Sequence, residues 1–328
     1  DTRDWSSDVC SSDLRNTKMT LKICLVIIIT LSIVAIIACI FTGKFFYNLA
    51  INPNSSKKMI FSNDGLSHHE LSKEEEWLEK YSKFEEVFTT SFDGLKLHGY
   101  QVLNKDTNKW AITVHGYMTD AFSLSTKALH YYEIGYNVLA IDLRGHGKSK
   151  GNYIGMGYHD AKDLIEWIKY INSKYSDAEI LIHGVSMGAA TVMIASSLEE
   201  LPSNVKVIIE DCGYTSALEQ FKFQLKKLFN LPSFPILNIA NIAVKIKAGY
   251  FLNEASPIDS VKKAKVPIMF IHGDKDTFVP FYMLDELYNA CNTEKSKLVV
   301  KEASHAHAED ENPDLYWSQI DKFVNKYM

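Results

Sequence analysis

No Gly-x-Gly-x-x-Gly or P-loop string occurs in this chain. No glycine-rich loop is therefore available to cradle a dinucleotide or nucleoside triphosphate, and no cofactor is expected. His-Glu-x-x-His is also missing. His305-Ala306-His307-Ala308-Glu309-Asp310 superficially resembles a metal-binding cluster, but alternate residues of an extended segment point apart and the remaining ligands are not evident, so no metal is expected. Cysteine is scarce, with five in 328 residues. Cys24 and Cys39 lie in an apolar run, leaving Cys212 and Cys291 for the large globular part, too few for a disulfide framework. A net charge of −5 with scattered lysines and glutamates leaves no basic stripe, which argues against a nucleic-acid partner.

What the chain does have begins with a long uncharged run. Ile23 to Phe41 carries 19 residues without a charge, bracketed by Lys22 and Lys44, enough to cross a bilayer. A cleaved signal peptide is the main rival, but the run exceeds the usual h-region and no small-x-small site closes it. Ile36-Ile37-Ala38-Cys39 resembles a lipoprotein box, although the apolar run continues past Cys39. We read residues 19–43 as a single uncleaved membrane anchor, with the following domain outside the cytoplasm. Residues 1–18 contain the near-repeat Ser6-Ser7-Asp8-Val9-Cys10, Ser11-Ser12-Asp13-Leu14 and precede Met19. They resemble translated adapter sequence, and Met19 is read as the natural start. Residues 44–83 read as a polar linker, ending in a short helix over Lys73–Tyr81 that the capping-box pattern Ser72-Lys73-Glu74-Glu75 opens and Trp77 packs inward.

Gly184-Val185-Ser186-Met187-Gly188 carries the most information. The apolar run Glu179–His183 precedes it, and Ala189–Ala195, with the spacing of a buried helix, follows. A glycine-flanked serine between strand and helix is the context of a nucleophile elbow: the neighbours must be small, and the helix N-terminus favours developing negative charge. Around it strands and helices alternate. A hairpin is expected over Glu86–Thr90 and Leu95–Tyr100, then strands at Trp110–His115, Asn137–Asp142, Glu179–His183, Val205–Glu210, Pro267–His272 and Lys297–Lys301. Tyr158–Tyr175 has the clearest helical spacing. The expected fold class is α/β: a mainly parallel sheet flanked by helices, filling one domain over residues 84–328.

Five motifs in order resemble the α/β-hydrolase superfamily. They are His115-Gly116-Tyr117, Asp142-Leu143-Arg144-Gly145-His146-Gly147-Lys148-Ser149, the serine elbow, His272-Gly273-Asp274-Lys275-Asp276-Thr277-Phe278-Val279-Pro280 and Ala303-Ser304-His305. The likeness spans Phe84 to Met328, and the branch it suggests is the serine-aminopeptidase/lysophospholipase-like group. The resemblance implies Ser186 as nucleophile, Asp276 as acid and His305 as base, in the chain order of that fold. Asp211 is the alternative acid, Asp274 is read as capping its own turn, and His307 as an exposed loop residue. The backbone N–H groups of Tyr117 and Met187 are expected to form the oxyanion hole. His115, Arg144 and His146 are read as structural. Ser186 argues against the haloalkane dehalogenases and epoxide hydrolases, which place an aspartate there.

Cys212 to Ala264 interrupts the alternation with a segment too long for an ordinary connection. Ser216–Phe229 and Ile236–Tyr250 have helical spacing and unusual apolar content, so residues 213–264 are read as a cap lining an acyl pocket; two helices packed on the sheet edge are the plainer alternative. The expected activity is hydrolysis of a small-molecule carboxylic ester or thioester, with a lipid among the candidate substrates. An exopeptidase is the alternative and would need a carboxylate for the free amine, for which Glu210, Glu219 and Glu254 are available. A tethered, non-catalytic interaction domain is the third reading.

Overall fold

The computed structural model describes residues 5–61, 77–81 and 83–328. Residues 73–76 of the expected capping-box helix lie outside them; Trp77–Tyr81 forms one π-helical turn, with the half-buried Trp77 ring 5.3 Å from that of Tyr132. Eight strands make one sheet in the order β1-β2-β4-β3-β5-β6-β7-β8. They are β1 (Glu85–Thr90), β2 (Lys96–Val102), β3 (Lys109–Val114), β4 (Asn137–Ile141), β5 (Glu179–Val185), β6 (Val205–Asp211), β7 (Ile268–Gly273) and β8 (Lys295–Val300). β2 runs opposite to the other strands, pairing antiparallel with β1 and β4; the pairs from β4 through β8 are parallel.

Helices cover both faces, so the parallel strands are buried on two sides and read as continuous apolar runs such as Ile180-Leu181-Ile182 and Val207-Ile208-Ile209. On one face lie α3 (Tyr158–Lys174) and α4 (Met187–Ala195), within a core that includes Leu164, Trp167, Ile168, Met187 and Val192. On the other, α2 (Ser125–Glu133) and the C-terminal helix (Pro313–Val324) bury Tyr131, Tyr316 and Ile320. Every residue of α4 is buried, which explains its lack of a polar face. The expected fold class is the one observed.

Between β6 and β7 the chain forms the two expected cap helices, α5 (Ala217–Phe229) and α6 (Ile236–Ala248), followed by the short α7 (Pro257–Val261). The Ser216 hydroxyl accepts from Glu219 N (3.1 Å) and starts α5. Asn230 and Gly249, both left-handed, end α5 and α6. Helix α1 runs from Trp5 to Ala50. Its Thr17–Ala50 part is, among the described residues, the one stretch long and apolar enough to span a membrane, and residues 17–41 are exposed throughout. Beyond Phe41 the same helix packs on α6.

Asp160, in the first turn of α3, accepts from Gly157 N (2.7 Å) while its other oxygen has no partner. Burial pushes its carboxyl up to about 6. The native chain then holds a proton that the unfolded chain loses between about pH 4 and 6, so this contribution to stability is present at low pH and lost as pH rises through that window. Asp160→Asn should flatten the dependence of Tm on pH between about 4 and 6, as read by thermal unfolding at half-unit steps.

Candidate active site

The elbow follows from packing around two glycines. A Cβ on Gly184 would lie 2.3 Å from Gly188 O, and one on Gly188 would lie 1.9 Å from Val114 O. Neither position has room for a side chain. Between them Ser186 is held at φ 56°, ψ −112°, a sparsely populated conformation costing about 1–3 kcal/mol that the surrounding packing must impose. Ser186 N donates to Asp211 O at the end of β6 (2.8 Å), fixing the turn to the neighbouring strand. The result places Oγ at the C-terminal edge of the sheet, just before α4.

Two loops from later strands complete a hydrogen-bonded series. His305, after β8, lies with Nε2 2.9 Å from Ser186 Oγ and Nδ1 2.6 Å from Asp276 Oδ2. An ionised Asp276 accepts from Nδ1–H, which leaves Nε2 to accept the serine hydrogen. Asp276, after β7, also accepts from Phe278 N (2.8 Å) and Val279 N (2.9 Å), and His272 Nε2 lies 3.1 Å from its Oδ2. Burial raises the Asp276 carboxyl, but hydrogen bonds from His272 and His305 outweigh it and hold the group well below the usual carboxylate range.

The structure thus brings Ser186, Asp276 and His305 together. It does not bring the other candidates in. The Asp211 carboxylate accepts from Tyr316 Oη (2.8 Å) on the far side of β6. Asp274 accepts from Glu302 N (2.7 Å), so it ties two loops together instead of capping its own turn. His307 is paired at the surface with Asp310 (2.6 Å). Cys212, Asp276 and His305 are, among the described residues, one group close enough to share a metal. Both imidazole nitrogens of His305 are already engaged, and burial pushes the Cys212 thiol well up, so the set is a poor metal site.

Met187 opens α4, so its N–H belongs to the helix's unpaired first turn. Gly116 brings the β3 loop alongside: a Cβ there would be 3.5 Å from Ser186 Cβ, and Tyr117 follows it. Two histidines brace that loop. His115 Nδ1–H donates to Gly116 O (2.7 Å), and its Nε2 accepts from Leu143 N (3.0 Å). His146 Nε2 accepts from Met118 N (3.2 Å) while Nδ1–H donates to Arg144 O (3.0 Å). Burial holds His146 down to about 3, so it stays neutral and can serve as that acceptor. Arg144 forms a buried bidentate pair with Asp163 (2.7 and 2.8 Å) and stays structural.

Ser186 stands between two unlike spaces. One, about 850 Å³ counted to its open mouth, is almost wholly apolar. The cap supplies Phe221, Leu225, Leu237 and Val244, and the loop after β7 supplies Phe278. The cap helices therefore lie over the site and not merely at the sheet edge. Phe46, Leu49 and Ile51 of the N-terminal segment also line this space; sequence reasoning missed them, because apolar residues after an anchor carry no motif. The other space is more polar, lined by Thr119, Ser123, Lys127, His307, Glu309 and Asp310 together with His305. Burial would lower the Lys127 ammonium, but the paired Glu309 carboxylate outweighs it and raises the group.

Comparison with known proteins gives a consistent picture. The uncharacterized protein YqkD of Bacillus subtilis is 29% identical over 252 residues, spanning 75% of this chain and 82% of that protein. Lysophosphatidylserine lipase ABHD12 of Xenopus tropicalis is 29% identical over 163 residues, spanning 48% of this chain and 39% of that protein. Among solved structures, an esterase of Pyrococcus furiosus superposes with a TM-score of 0.61 at 24% identity, covering 75% of this chain and 92% of that one. A likeness at that identity shows the fold, which is that of the α/β-hydrolases. The family model for the prolyl oligopeptidases matches residues 122–328, from the loop after β3 to the C-terminus. The chain belongs to the prolyl oligopeptidase family, on an α/β-hydrolase fold.

Proposed function

We propose that the protein is a membrane-tethered serine hydrolase that cleaves carboxylic esters or thioesters of apolar acyl groups through an acyl-enzyme, with Ser186, His305 and Asp276 as its catalytic residues. The observation that carries this reading is the position of the Ser186–His305–Asp276 series at the junction of an apolar and a polar space. An apolar acyl group suits the first, and a polar leaving group suits the second. The reading also places the domain outside the cytoplasm, held by α1.

In the proposed mechanism Ser186 Oγ bonds to the substrate carbonyl carbon as its proton passes to His305 Nε2. The N–H groups of Tyr117 and Met187 stabilise the oxyanion. As the tetrahedral intermediate collapses, the bond to the leaving oxygen or sulfur breaks and His305 returns the proton to it. Water then gives a proton to His305 and attacks the acyl carbon; the acid departs and Ser186 regains its proton. Asp276 holds the imidazole in the required tautomer throughout.

The exopeptidase alternative needs an unpaired carboxylate facing the site. Glu210 is buried with Gly213 N (3.0 Å), Glu254 is held by Phe251 N and Lys245, and Glu219 is paired with Lys222. None of the three lines either space. The carboxylates that do, Glu309 and Asp310, are paired with Lys127 and His307. The test is hydrolysis by the full-length protein of p-nitrophenyl esters from acetyl to dodecanoyl, beside aminoacyl p-nitroanilides. Turnover should rise with acyl length and be slight on the amides. Efficient cleavage of the aminoacyl amides would replace the esterase reading with the exopeptidase one.

A further inference from the structure

The chain's first helix does more than reach the domain. Phe41 is 68% exposed, yet two residues later Gly43 is buried, and a Cβ there would lie 3.1 Å from Ala243 Cβ of α6. Glycine lets the two helices approach closely. From that point the helix turns its side chains into the site. Phe46 packs edge-on against Phe229 of α5 (ring centroids 5.9 Å apart), and Leu49 and Ile51 are buried in the apolar space beside Ser186.

The helix end is also tied down from three directions. Tyr117, next to Gly116 in the proposed oxyanion loop, donates its hydroxyl hydrogen to Ala50 O (2.7 Å). Buried Lys57 donates to Asn48 O (3.0 Å) and Asn52 O (2.7 Å), satisfying carbonyls at the helix terminus. Ile154 N donates to Ile51 O (2.8 Å). A flexible tether makes no such contacts.

We infer that the last two turns of this helix, together with Ile51 just beyond them, form a wall of the acyl-binding site, with Phe46, Leu49 and Ile51 setting the length of acyl chain accepted. The inference rests on the serine-hydrolase reading above. Its occupant is the acyl chain of an ester drawn from the membrane that the helix enters. Phe46 lies five positions after Phe41, about 7.5 Å along a helix, so the pocket wall begins within two turns of the exposed apolar span. The cap faces the same way in character: Phe234, Ile242 and Ile246, on α6 or just before it, are 74, 56 and 78% exposed. A chain leaving the bilayer would travel a short path over apolar surface.

The test uses the full-length protein in phosphatidylcholine nanodiscs and measures labelling of Ser186 by a series of alkyl fluorophosphonates from ethyl through dodecyl to longer chains. Leu49→Trp, which fills the pocket, should lower the dodecyl-to-ethyl rate ratio at least about tenfold, and Leu49→Ala should raise the longest chain that labels efficiently. If Leu49→Trp slows both probes alike through a folding defect, Leu49→Ala decides. An unchanged chain-length profile in Leu49→Ala overturns the assignment. Failure of every probe, the ethyl one included, to label wild-type protein in a Ser186-dependent way would instead remove the serine-hydrolase reading, and this inference with it; labelling by the ethyl but not the dodecyl probe would overturn this inference alone.

Discussion

Ser186→Ala is expected to lower kcat for acyl-ester hydrolysis by about 10⁴- to 10⁶-fold while the protein stays folded. The size follows from what the side chain does in the proposed mechanism. Oγ is both the attacking atom and the hydrogen-bond partner of His305 Nε2 (2.9 Å), and no other hydroxyl occupies the elbow. Without it, water must attack directly, aided only by the oxyanion donors and substrate positioning. The stability effect should be small, on the order of 1 kcal/mol for one lost, partly buried hydrogen bond. Backbone strain at φ 56° is common to serine and alanine. His305→Ala should cost a similar factor, and the double variant little more, because residues acting as one unit are not additive. Steady-state kinetics beside circular dichroism would check this. Turnover within tenfold of wild type in folded Ser186→Ala would sink the assignment.

The second large effect is expected at Asp276. Asp276→Asn should reduce kcat by about 10⁴-fold at neutral pH. In the asparagine variant one side-chain oxygen can still accept from Phe278 and Val279 N–H, so the loop should keep its shape. The atom facing His305 then becomes an N–H₂ donor. His305 Nδ1 must accept from it, its proton moves to Nε2, and the base can no longer take the serine hydrogen. Fluorophosphonate labelling should slow in parallel with turnover, since both need an activated Ser186. A loss below about tenfold would mean that Asp276 does not orient the base. Asp211 would then be the acid to test, despite its hydrogen bond from Tyr316.

Much of this molecule was legible in one dimension because its signals are local. Every strand lies within two residues of its expected position, since buried parallel strands must be short apolar runs bounded by turns. Ser216, Asn230 and Gly249 mark the cap helix ends through side-chain capping and left-handed backbone, both properties of single residues. The three residues of the proposed catalytic series stood at strand ends in a fixed order. Other features had no local signature. Asp274 is one: read as capping its own turn, it instead accepts from Glu302 N on another loop, a partner that only the packing of the two loops supplies.

The sequence by itself therefore determined the alternating α/β core, the serine elbow and the apolar span, because periodicity, glycine sterics and charge-free length are written in consecutive residues. Tertiary structure alone decided which surfaces face Ser186. Nothing in the run from Phe46 to Ile51 distinguishes an apolar helix passing into a linker from one that lines the space beside Ser186. That role exists only because Gly43 lets α1 close on α6, and because Tyr117, more than sixty residues later, reaches back to Ala50. A pocket is a property of elements distant in sequence, and packing is what makes them neighbours.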